Sequence, residues 1–170
     1  MLLLILLVCA TTFSGCTDKF FFPEAHFTVV SVTPDKLRLA KKAATTEGSE
    51  ESSDDEDVTL PSTAISLLSD SSIPANLVSF SITYTTRLGD PITAVEVPET
   101  PYNLQLSAAA TTEITLNPYT SRLFYLLEQT NSDISPVNAK MLLNIKDING
   151  NKMQVEAHCL CYARWDENDG

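Results

Sequence analysis

The side chains best suited to soft-metal or nucleophilic chemistry are four cysteines, Cys9, Cys16, Cys159 and Cys161, and two histidines, His26 and His158. Cys159 and Cys161 are separated by one residue, so on a strand they stand about 6.6 Å apart with parallel side chains. That is near the outer limit for a disulfide and badly oriented for one. Cys-x-Cys with a histidine is a donor set suited to copper(I) or zinc. On a strand, however, His158 points to the face opposite both thiols, and His26 is the only other imidazole. Free cysteine on an apolar face behaves as a small hydrophobe, so core burial is expected, with copper or zinc handling as the alternative. The sequence has no Gly-x-Ser-x-Gly elbow, no His-Glu-x-x-His and no phosphate-cradling glycine loop, with five glycines in all. A serine triad would have to use His26 or His158, and carboxylates are too plentiful for spacing alone to pair two for glycoside cleavage. No catalytic, cofactor-binding or metal-ligating residue is assigned, no cofactor is expected, and the chain reads as a non-enzyme. Tyr84, Tyr102, Tyr119, Tyr125 and Tyr162, with Trp165, offer a binding platform, although packing accounts for them equally well.

Charge narrows the partners. Twenty-two acidic against eleven basic residues give a net charge of −11. A field of that sign repels phosphate backbones and anionic headgroups, so neither nucleic-acid binding nor electrostatic membrane docking is expected. Seven carboxylates fall in the eleven positions Glu47 to Asp57, with no apolar residue among them. Such a run cannot bury surface and is expected to be a disordered acidic loop, 41–57; loose calcium capture is the other reading, but the ligand spacing of an ordered calcium loop is missing.

Met1 to Ala10 is an apolar run too short to span a bilayer and reads as the core of an export leader. Phe13-Ser14-Gly15-Cys16 follows it and resembles the lipobox of bacterial lipoproteins. That resemblance implies a signal peptide over 1–15, a diacylglyceryl group on the Cys16 thiol, cleavage before Cys16, and acylation, by palmitate for instance, of the new amino group. More than one acyl chain gives stable anchoring where a single chain is marginal. Thr17, where an inner-membrane signal would place Asp, favours the outer membrane. An ordinary secretory leader cut near Ala10, leaving Cys16 a plain thiol, is the alternative.

The elements behind these residues are strands. After a tether, 16–25, whose Phe20-Phe21-Phe22-Pro23 run is expected to cap the domain edge rather than lie on lipid, His26 to Val32 and Lys36 to Ala40 read as strands broken by Thr33-Pro34-Asp35. Further strands are expected at Thr63 to Leu68, Asn76 to Thr86, Thr93 to Val97, Tyr102 to Ser107 and Thr111 to Leu116. Val78, Phe80, Ile82 and Tyr84 alternate with Ser79, Ser81, Thr83 and Thr85 in a half-buried pattern. Ser121 to Gln129 reads as a short helix or an irregular crossover. In the last hairpin, apolar residues occupy odd positions on both arms, from Met141 to Ile145 and from Met153 to Ala163. Facing residues of an antiparallel pair share a side, so odd must pair with odd. That register selects a three-residue loop, Ile148-Asn149-Gly150, with Gly150 left-handed and Asp147 at the first turn position.

About seven to nine short strands point to an all-β sandwich of the immunoglobulin or fibronectin III kind over 26–163, followed by an acidic tail, 164–170. Tyr84 to Asp90, Val95 to Pro98 and Asp147 to Asn151 look like the strand, crossover and final hairpin of a group of bacterial lipoproteins with an immunoglobulin-like domain, a likeness that covers roughly Val58 to Ala163. It implies the fold and supplies no activity. The expected protein is a lipid-anchored envelope lipoprotein that binds another envelope protein or an extracellular polymer through loops or a sheet edge.

Overall fold

The computed structural model describes residues 23–39, 60–130 and 134–163. Within them the chain is mostly β: β1 (Phe27–Thr33), β2 (Lys36–Leu37), β3 (Thr63–Ser69), β4 (Ala75–Thr85), β5 (Val97–Leu106), β6 (Thr111–Leu116), a helix α1 (Ser121–Gln129), β7 (Val137–Asp147) and β8 (Lys152–Cys161). Three strands form one sheet in the order β1-β3-β6, and five form the other in the order β2-β8-β7-β4-β5. All neighbours are antiparallel except β2, which runs parallel to β8.

Period-two patterning explains the core. Ile65 and Leu67 of β3 and Ile114 and Leu116 of β6 are buried from one sheet. Leu77 and Ile82 of β4, Met141, Leu143 and Ile145 of β7, and Ala157, Cys159 and Cys161 of β8 are buried from the other, and all belong to one cluster. Each large aliphatic side chain withdrawn from water in this way contributes about 1.5–3 kcal/mol. The opposite face of the larger sheet is polar, as antiparallel sheets allow. There Lys140 pairs with Glu156 at 2.6 Å, and Asn144 and Gln154 hydrogen-bond across β7 and β8.

The expected final hairpin forms. Ile145 faces Met153 and Leu143 faces Val155; Gly150 has φ +91° and donates its N–H to the Asp147 carbonyl oxygen at 3.1 Å. Helix α1 also forms over Ser121–Gln129. The Thr120 hydroxyl accepts the Leu123 N–H at 3.2 Å, a side-chain N-cap, and Leu123 and Leu127 are buried against the sheets.

Four element boundaries differ from expectation. Of Lys36 to Ala40, only Lys36–Leu37 form a strand among the described residues; Leu39 is buried beyond its end, and Ala40 lies outside the described residues. Thr93 to Val97 is not a strand: Thr93–Val95 is a single 3-10 turn whose Val95 plugs the core. Strand β5 then runs unbroken from Val97 to Leu106, through Pro98 and Pro101, because an edge strand can leave prolines on its unpaired side. In β4, pairing moves from Leu77–Ile145 to Ser79–Asn144, which makes Val78 the extra residue of a bulge. Leu77, not Val78, therefore takes the core position, while Phe80, Ile82 and Tyr84 keep theirs; Phe80 is half-buried, edge-on to Tyr102 at 5.7 Å.

Candidate functional site

The cysteine pair lies inside the core. Cys159 and Cys161 are 3% and 0% exposed and unbridged. A hydrogen bond with Cys159, burial and the neighbouring thiol push the Cys161 thiol above its ordinary range. His158 projects from the opposite face, half-exposed, 3.8 Å from Glu156. His26 sits at the other end of the body, where its backbone N–H reaches the Ser71 hydroxyl at 3.4 Å. The structure thus brings neither histidine to the thiols. Among the described residues no group of three or more His, Cys, Asp or Glu side chains is disposed to hold a metal ion.

Nor do the tyrosines make a platform. Tyr84 and Tyr119 are buried, and burial raises both phenols well above their ordinary range. Their hydroxyls donate to the carbonyls of Pro118 and Tyr162, each at 2.7 Å, tying the β6–α1 link to β4 and to the end of β8. Tyr162 lies under the Arg38 guanidinium at 4.4 Å. Tyr125 is exposed on α1. Cys16, the acidic run Glu47 to Asp57 and Trp165 fall outside the described residues.

Two polar clusters were not foreseen. The first is the buried carboxylate of Asp147. Its Oδ1 accepts the N–H groups of Asn149 and Asn151, both at 2.9 Å, and its Oδ2 accepts the Asn151 amide at 2.9 Å and the Ala25 N–H at 3.3 Å. Burial pushes this carboxyl up, but the four hydrogen bonds outweigh it and hold it below the usual carboxylate range. Asn149 completes the clasp by donating its side-chain amide to the Pro23 carbonyl at 3.0 Å. The chain entering β1 is thereby fastened to the β7–β8 loop. Only the turn position of Asp147 was visible in the sequence.

The second cluster lies on the polar sheet face beside the Val78 bulge. Ser79 donates to Glu99 at 2.5 Å, Asn144 donates to both, and Gln154 donates to Asn144. Glu99, Asn144 and Gln154 border an open groove of about 510 Å³ that Lys146 and Lys152, directly opposite in register, also line. Among the described residues that line it, Glu99 is the only carboxylate. No helix among the described residues is long and apolar enough to cross a membrane.

No protein-family model matches the sequence, and no curated protein does. Among solved structures, the fold is similar to that of a Bordetella pertussis protein named ApaA, at 17% identity and a TM-score of 0.41 over 82% of this chain and 94% of that one. The Northeast Structural Genomics Consortium target SoR45 is similar at 13% identity and a TM-score of 0.30, over 85% of this chain and 86% of that one.

Proposed function

We propose that the protein is an envelope lipoprotein, anchored through acyl chains on Cys16, whose immunoglobulin-like body binds another envelope protein or an extracellular polymer without catalysing a reaction. The observation that carries this reading is the apolar run Met1 to Ala10 followed by Phe13-Ser14-Gly15-Cys16. What supports the immunoglobulin-like assignment is strand order. In chain order β1, β3 and β6 correspond to strands A, B and E, and β4, β5, β7 and β8 correspond to C, C′, F and G.

Strand addition is the binding mode the sheet edges favour. Of the four sheet edges among the described residues, three are blunted: β2 is two residues long, β5 carries two prolines, and β1 is bulged at Val30 between its Val29 and Ser31 pairings. Strand β6 is regular and proline-free along its outer side, so a partner's extended segment would pair there through main-chain hydrogen bonds.

Envelope fractionation tests the anchor reading. The native chain is expected in the membrane fraction, resisting high salt and alkaline carbonate, and a Cys16→Ser chain is expected to leave it. Equal behaviour of the two chains would overturn the proposal.

A further inference from the structure

We infer that the end of the body built from the β7–β8 loop, the β3–β4 link and the N-terminal chain rests on the lipid surface, with Ile148 as the side chain that enters it. The inference rests on the anchor reading of Cys16 and adds which surface of the body meets the bilayer.

Reach singles out this end. Six residues separate Cys16 from Pro23. Seven Cα steps span at most about 24 Å fully extended. Pro23 does not leave the body freely, since its carbonyl is held by Asn149 and the next turn of chain by Asp147 through the Ala25 N–H. Acyl chains on Cys16 would therefore keep Pro23, and the β7–β8 loop tip bound to it, within about 24 Å of the headgroups, which makes this end of the sheets the one nearest the anchor.

The loop tip is also chemically suited to lipid. Ile148 is 67% exposed, an apolar side chain at the outermost turn of a hairpin whose β7 apolar residues Leu143 and Ile145 are buried. The backbone around it is already satisfied: Ile148 donates its N–H to the Pro74 carbonyl at 3.2 Å, Asn149 to the Asp147 carboxylate, and Gly150 to the Asp147 carbonyl oxygen. Moving such a turn toward an apolar medium strands none of these three donors, which is the main cost of bringing irregular backbone into lipid.

Charge is distributed unevenly between the two ends. Register puts Asp147, Ala75 and Leu106 at one end, and Val137, Cys161, Leu116 and Thr63 at the other. Leu39, Leu60 and Ala163 belong to the second end, and from them depart 40–59 and 164–170, which hold ten of the chain's 22 acidic residues. The most acidic stretches thus depart from the end farthest from the anchor. The seated end itself is electrically mixed, with Lys146 and Lys152 on the hairpin against Glu24 and Asp70 by the N-terminal chain. Contact is therefore carried by Ile148 and independent of anionic lipid.

The test uses the full acylated protein in phosphatidylcholine vesicles, with and without phosphatidylglycerol, and acylation verified by mass. An environment-sensitive dye is placed at Ile148→Cys in one sample and at Leu88→Cys, 89% exposed at the far end, in another. The parent chain reports any labelling of Cys159 and Cys161, and circular dichroism confirms the β fold of each variant. The expected result is a blue shift and loss of fluorescence to lipid-borne quenchers at position 148 but not at 88, alike in both lipid mixtures. Equal quenching at the two positions with acylation intact would overturn the seating and leave the anchor standing; quenching at 148 only with anionic lipid would overturn its charge independence. A chain with no acyl group on Cys16 would remove the anchor reading and the seating together.

Discussion

At the scale of single residues, the clasp of Asp147 has the clearest consequences. One buried carboxylate takes N–H donors from Asn149, Asn151 and Ala25, the last 122 positions away in sequence. Its folded pKa is lowered, so its stabilising contribution is fully present above the ordinary carboxyl pKa and is lost as pH falls through the folded value. Asp147→Asn is expected to cost about 2–3 kcal/mol at neutral pH, because the charged acceptor is lost and buried donors lose part of their partner. Chemical denaturation followed from pH 7 to pH 2 should show the gap between variant and native chain narrowing below about pH 4, the ordinary carboxyl range; a constant gap would contradict the assignment. The turn role of Asp147 was legible because Asn149-Gly150 follows it, but its burial was not, since the N-terminal chain that covers it shares no local pattern with the hairpin. Cys159 and Cys161 were legible as core residues because they continue the odd-numbered apolar face of β8. Both thiols should resist labelling in the native protein and react on unfolding; fast native labelling would contradict their burial.

At the scale of elements, uninterrupted alternation was readable and irregularity was not. The β7–β8 register followed from parity alone, and Gly150 followed from the register. Gly150→Val is expected to destabilise by about 1–2 kcal/mol through left-handed strain. The position is open, with nothing within 4 Å of an added Cβ, so no clash contributes. Anchoring should be untouched; thermal unfolding together with membrane fractionation separates the two effects. Strand β4 misled at one residue, because Leu77-Val78 is apolar at both positions and nothing local says which is the bulge. Strand β5 misled because proline reads as a break, whereas an edge strand needs only half its main-chain donors. Helix α1 was ambiguous until packing chose for it: Leu123 and Leu127 are buried one turn apart, and Thr120 caps the first turn. The polar groove beside the bulge was illegible because Ser79, Glu99 and Asn144 come from three strands whose alignment depends on that bulge.

At the scale of the whole molecule, two sheets share one core, and the segments outside it leave from opposite ends. The N-terminal chain exits beside the β7–β8 loop, while the acidic stretches depart beside the end of β8. A body so arranged can be held at a surface by one end and present the other outward, with the regular edge of β6 running between them. All of this depends on Cys16. The most direct measurement is intact mass and N-terminal peptide analysis of the mature protein from its own membranes. The account expects a chain that begins at Cys16 and carries the mass of a diacylglyceryl thioether plus an amide-linked acyl group. A chain that keeps Met1 to Gly15, or starts elsewhere with Cys16 unmodified, would contradict it.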